Sequence, residues 1–138
     1  MTSRFTELVI DAHDLRKLAD FWCAVLDYKI LDEQSDVVEI GPKDFVGEPG
    51  PEMHAEWKAR ARRGPPTPTI VFAPVPEGKE VKNRVHIDVS PLGEQAGEVE
   101  RFLTLGATTA DIGQGDVKWV VLRDPEGNEF CVLRSRAP

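Results

Sequence analysis

Cysteine is scarce in this chain: Cys23 and Cys131 are the only two, and neither belongs to a CxxC or a Cys/His zinc spacing. A disulfide framework is therefore excluded, and the two thiols read as buried side chains of a helix and a strand. Positive charge is also short. There are 17 basic against 24 acidic residues and a net charge of -7, a balance that repels phosphate backbones. The one basic cluster, Lys58, Arg60, Arg62 and Arg63, has no aromatic residues interleaved among its bases and reads as a solvated segment rather than a nucleic-acid site. No apolar run approaches the ~20 residues that span a bilayer. No charged-then-apolar leader precedes Phe5, so cytoplasmic residence is the expectation. A glycine-rich phosphate loop, a nucleophile elbow and a Ser/His/Asp arrangement are all missing.

What is there is an ordinary globular composition, 41% hydrophobic and 30% charged, over 138 residues. That length suits one domain burying roughly 65–70% of its unfolded surface, with no metal or disulfide needed to fold. From Phe5 to Ala12 the residues alternate, with Leu8 and Ile10 on one side and Glu7, Val9 and Asp11 on the other, as in a half-buried strand. Asp14 can cap a helix over 14–27, whose apolar face is Leu15, Leu18, Trp22, Val25 and Leu26. Two short strands follow, Tyr28 to Leu31 and Val37 to Ile40. Residues 41–68 then concentrate glycine and proline and read as a long loop, with a short helix possible over Glu52 to Arg63. Thr69 to Ala73 resumes as a strand.

The second half repeats the plan. Val85 to Val89 is expected as a strand. The helix that ends before Gly106 shows Ala96, Val99, Phe102 and Leu103 on one face. Strands are expected over Ala107 to Ile112, Val117 to Arg123 and Glu129 to Arg134, the last two joined by the turn Asp124-Pro125-Glu126-Gly127. The order βαβββ thus occurs twice. A slide of 79 residues carries Glu7 onto His86, Val9 onto Asp88 and Asp27 onto Gly106. The predicted class is α+β, as a single domain over 1–138 with one module at about 1–81 and the other at about 82–138. The expected core comprises Leu8, Ile10, Leu18, Trp22, Leu26, Val85, Ile87, Val99, Phe102, Val121, Phe130 and Val132.

Chemistry is sought on the faces turned away from the helices. Period-two alternation leaves Glu7, His86 and Asp88 on open sheet faces, where an imidazole and carboxylates could move a proton or hold a metal. Ordinary solvated polar residues are the competing reading.

Three segments carry a resemblance. They are Asp14-Leu15 with Phe21-Trp22 and Val25-Leu26-Asp27-Tyr28; Lys82-Asn83-Arg84-Val85-His86-Ile87-Asp88; and Trp119 through Leu133, including Asp124-Pro125-Glu126-Gly127-Asn128-Glu129-Phe130. The chain resembles the glyoxalase-like branch of the vicinal oxygen chelate superfamily, which includes bleomycin-resistance proteins and extradiol dioxygenases. The resemblance implies two βαβββ modules forming an incomplete eight-stranded barrel around a cavity, and commonly a homodimer. It also implies one of two activities. Either the cavity binds a small molecule without a complete metal site, or a divalent metal supports a lyase, isomerase or dioxygenase reaction on a small oxygen-rich substrate.

Carried over residue by residue, the family's metal ligands fall on Glu7, on His86, near Phe72 or Ala73, where no donor stands, and on Cys131 in place of the usual Glu. Glu7, His86 and Cys131 are therefore the metal candidates in an incomplete set. No cofactor is assigned, with a divalent metal as the alternative. His86 and Glu7 are the candidate catalytic residues, and Asp88, Trp119, Cys131 and Trp57 the candidate ligand-binding residues. The expected partner is a small molecule, with no nucleic acid and no membrane.

Overall fold

The computed structural model describes residue 3, residues 5–45 and residues 67–134. Trp57, the possible Glu52 to Arg63 helix and most of the 41–68 loop lie outside the described residues. The chain divides into two compact units, Met1–Pro76 and Glu77–Pro138.

In the first unit, β1 (Glu7–Ala12) leads into α1 (Leu15–Leu26), followed by β2 (Tyr28–Gln34), β3 (Val37–Pro42) and β4 (Thr69–Pro74). The sheet order is β1-β4-β3-β2, with β1 parallel to β4 and the other pairs antiparallel. Helix α1 starts where expected. The Asp14 side chain accepts the Lys17 backbone N–H at 3.0 Å, satisfying one of the donors that a helix start leaves open. Its buried face, Leu15, Leu18, Ala19, Phe21, Trp22 and Val25, lies against β2, β3 and β4. Val38, Ile40, Ile70 and Phe72 are the buried sheet residues of this unit. Fully burying side chains the size of Leu18 or Phe72 contributes about 2 kcal/mol each.

The second unit holds β5 (Asp88–Val89), α2 (Gln95–Leu105), β6 (Thr108–Thr109), β7 (Val120–Arg123) and β8 (Glu129–Val132). Its order is β5-β8-β7-β6, again with the first strand parallel to the last and the others antiparallel. The α+β class with two βαβββ modules is therefore correct. The repeat holds in detail. Val9 pairs with Val71 as Asp88 pairs with Cys131, and Ile10 pairs with Phe72 as Val89 pairs with Val132. Asp27 ends α1 at φ 56° and Gly106 ends α2 at φ 114°, so both helices close on a left-handed residue at the positions the 79-residue slide matched.

The main departures from expectation lie in the second unit. Val85 is 78% exposed rather than in the core, and β5 is two residues long. The register explains this. Asp88 faces Cys131, so residues before His86 would have to pair beyond the start of β8, where the chain is already committed to a turn. There the buried Asp124 carboxylate accepts the backbone N–H groups of Glu126 and Asn128 and the Asn128 side-chain amide, and Gly127 takes φ 88°. Strands β6 and β7 are also shorter than the expected spans. On α2 only Phe102 is fully buried, 6.0 Å from the Phe130 ring, while Ala96 and Leu103 are exposed. Leu8, Ile10, Leu26, Ile87 and Val99 are half-buried; apart from Val85, the rest of the expected core is buried. No described helix is long and apolar enough to cross a membrane.

Candidate functional site

The parallel pairing of β5 with β8 brings three reactive side chains together. Asp88 stands opposite Cys131, and His86 is two residues back along the same chain, on the same side by the alternation of extended backbone. One ligand atom from each of His86, Asp88 and Cys131 lies within 4.8 Å of the others. His86 Nδ1 is 2.8 Å from Asp88 Oδ1, and both side chains are a little under half exposed. Cys131 is buried beneath them.

Asp88 is the hub. It accepts from His86 on one side, and the Cys131 thiol is hydrogen-bonded to it on the other. Burial pushes the Cys131 thiol up first, and the Asp88 charge and hydrogen bond push it further; the Lys82 ammonium pulls weakly the other way. The thiol therefore stays protonated at neutral pH. A cysteine nucleophile needs a base or a cation at its sulfur, and here a carboxylate occupies that place. His86, with Nδ1 bound to Asp88, has Nε2 left to meet a ligand, as an acceptor or a proton carrier.

Glu129 shares the face of Cys131 but is engaged elsewhere. It is 6% exposed, takes the Lys79 ammonium at 2.8 Å and accepts the Asn83 backbone N–H at 3.0 Å. Burial opposes its ionisation, yet the hydrogen bonds from Lys79 and Asn83 outweigh burial and bring the carboxyl down to about 2. This pair fastens the irregular segment before β5 onto the first residue of β8. Nothing in the sequence singled out Lys79, because a lysine in a polar connector has no visible partner until the ladder places Glu129 beside it.

Two further candidates sit on other elements. Glu7 is exposed on β1 of the first unit. Trp119 lies just before β7 and is 42% exposed, so it is not a core residue. The positions of the first unit that match His86, Asp88 and Cys131 in the repeat are Glu7, Val9 and Val71, so the His/Asp/Cys cluster belongs to the second unit alone.

Two sheets of this topology, each with a helix after its first strand, define a paired βαβββ protein. A model of the glyoxalase-like domain matches residues 7–133, and the chain belongs to that family. Solved structures share the fold. One is a glyoxalase/bleomycin resistance protein/dioxygenase family enzyme from Burkholderia phytofirmans, 15% identical, covering 96% of this chain and 98% of its own, with a TM-score of 0.62. Another is the fosfomycin resistance protein FosX from Mesorhizobium loti, at 13% identity, 96% and 92% coverage and a TM-score of 0.60. A FosX variant from Listeria monocytogenes, complexed with Mn(II) and a dihydroxypropylphosphonic acid, is 11% identical over 96% of this chain and 90% of its own, with a TM-score of 0.60. No curated protein matches the chain in sequence.

The residues of the cluster do not fit a hard divalent cation such as Mn(II). Such ions favour several oxygen donors. The cluster has one carboxylate, already held by an imidazole, and a neutral buried thiol, while Glu129, two residues before Cys131 on β8, is neutralised by Lys79.

Proposed function

We propose that this chain binds a small polar molecule at the His86–Asp88–Cys131 cluster without a resident divalent metal. The observation that carries the reading is that the three donors are already partnered with one another through Asp88, which leaves His86 Nε2 to meet the ligand. Asp88 fixes the imidazole tautomer and orientation, a role that carboxylates often have beside functional histidines. Trp119 belongs to the proposal as a further ligand contact, and Glu7 as a polar residue of its own sheet. Cytoplasmic residence and a two-fold homodimer complete it; sedimentation showing only a monomer at micromolar concentration would count against the dimer.

The reading is tested by a thermal-shift screen of metabolites and antibiotics with and without divalent metals, since a ligand that prefers the native state raises the melting temperature. The expected result is a ligand whose shift needs no metal and is lost in His86→Gln and Asp88→Asn. A shift that survives both substitutions removes the site.

One observation favours a second reading, a metal-dependent lyase, isomerase or dioxygenase. Imidazole, carboxylate and thiol donors within 4.8 Å are a set that zinc accepts more readily than manganese or magnesium. Elemental analysis of protein purified without chelator separates the two, with stoichiometric zinc supporting the second.

A further inference from the structure

Two cations just ahead of the cluster in the chain have no ion-pair partner among the described residues. Lys82 and Arg84 are both exposed, and neither makes an ion pair with any described carboxylate. Lys82 Nζ has only the Asn83 carbonyl, at 3.1 Å. Most of the other bases in this acidic chain that meet a described acid do so at short range: Arg16 with Asp20 and Glu33, Lys43 with Asp27, Lys79 with Glu129, Arg101 with Glu98. Between Lys82 and Arg84 sits Asn83, the residue whose backbone N–H is tied to Glu129. Glu129 in turn is two residues before Cys131 on the same face of β8. The two bases are thus carried by a segment pinned at its centre to the strand that carries the cluster.

Lys79 is spent on Glu129, and the two acids of the connector, Glu77 and Glu80, form no ion pair with Lys82 or Arg84 among the described residues. The Lys82 ammonium is close enough to draw the Cys131 thiol downward, which places its charge in the neighbourhood of the cluster. A net charge of -7 repels a polyanion at long range, so what these two bases can hold is a small anion acting at contact distance.

Resting on the small-molecule reading above, we infer that the ligand is a small organic anion whose carboxylate or phosphate group is held by Lys82 and Arg84 beside His86. The guanidinium of Arg84 supplies paired donors matched to either group, and Lys82 supplies a point charge.

The test is isothermal titration of the full chain with inorganic phosphate, malonate and glycerol at low ionic strength, with the His86 imidazole resonance followed by NMR. Phosphate or malonate is expected to move the His86 resonance and to release heat, with glycerol doing neither. Added salt should weaken the anion severalfold. The double variant Lys82→Gln/Arg84→Gln, altered only at exposed side chains, is expected to lose about tenfold or more in affinity. If the double variant holds the anions as tightly as the parent, the inference is overturned. If glycerol moves His86 and neither anion does, the anion class fails and the small-molecule reading stands. If His86 ignores these probes and every compound that raises the melting temperature, that reading fails as well. The preference between phosphate and malonate assigns the anionic group.

Discussion

Glu129→Gln keeps the volume and the acceptor for Asn83 but removes the charge that Lys79 neutralises. In the native chain the Glu129 carboxyl falls from an ordinary 4.5 to about 2. At about 1.4 kcal/mol per pKa unit, that depression corresponds to stability on the order of 3 kcal/mol at neutral pH. The sign follows from linkage. A carboxyl with a lowered folded-state pKa contributes its full stability above the unfolded value near 4.5, and the contribution drains away as pH falls toward about 2. Stranding the Lys79 ammonium, which is 16% exposed, adds to the cost of the substitution. Urea denaturation of both proteins at pH 7, 4.5, 3 and 2 is the assay. The gap between them should be on the order of 3 kcal/mol at pH 7, begin to close below pH 4.5 and be largely gone at pH 2. Exchange of the Asn83 amide should speed up in the variant, because its acceptor is weakened. A gap that stays constant across the pH range would refute the ion-pair account and leave only a packing effect.

Two further outcomes follow from the backbone and the thiols. Asp27→Gly relieves a non-glycine residue held at φ 56° where the repeat already has Gly106, so a gain of up to about 1 kcal/mol in chemical denaturation is expected, reduced slightly by loss of the exposed Lys43 contact. Iodoacetamide at pH 8 should leave both thiols largely unmodified by mass spectrometry until the chain is unfolded, since burial pushes Cys23 up to about 11 and burial together with Asp88 raises Cys131.

The fold was readable because its signals are local and doubled. Alternation in β1, the Asp14 cap, the apolar face from Leu15 to Val25 and the Asp124-Pro125-Glu126-Gly127 turn each specify their own geometry. The 79-residue slide then predicted that Asp27 and Gly106 occupy the same helix end. Val85 misled because alternation reports which face a side chain takes only if a partner strand exists, and β8 begins too late in the chain to provide one. The site was legible in part. His86, Asp88 and Cys131 could be named from position, but their joining through Asp88 depends on a register between residues 43 apart, Asp88 and Cys131, which no local pattern encodes. The Lys79–Glu129 pair stayed invisible for the same reason.

Cys131 is one of the positions where this chain departs from the metal-binding pattern its family resemblance implies, and that departure can be reversed. Cys131→Glu would place a carboxylate against Asp88 at a buried position. Without metal, two like charges in partial burial should repel, raising one pKa and costing about 2–4 kcal/mol of stability. With Mn(II), the same pair and His86 become an oxygen-rich set of the kind a hard cation accepts. The expected variant is therefore less stable than the parent in chelator and regains much of that loss on adding Mn(II). Electron paramagnetic resonance should show bound Mn(II) in the variant, while the parent leaves the ion free. A parent chain that already binds Mn(II) stoichiometrically would refute the assignment of Asp88 to its two protein partners. A folded variant that gains neither stability nor bound ion would show that the cluster's geometry, and not only its donor chemistry, departs from a metal site.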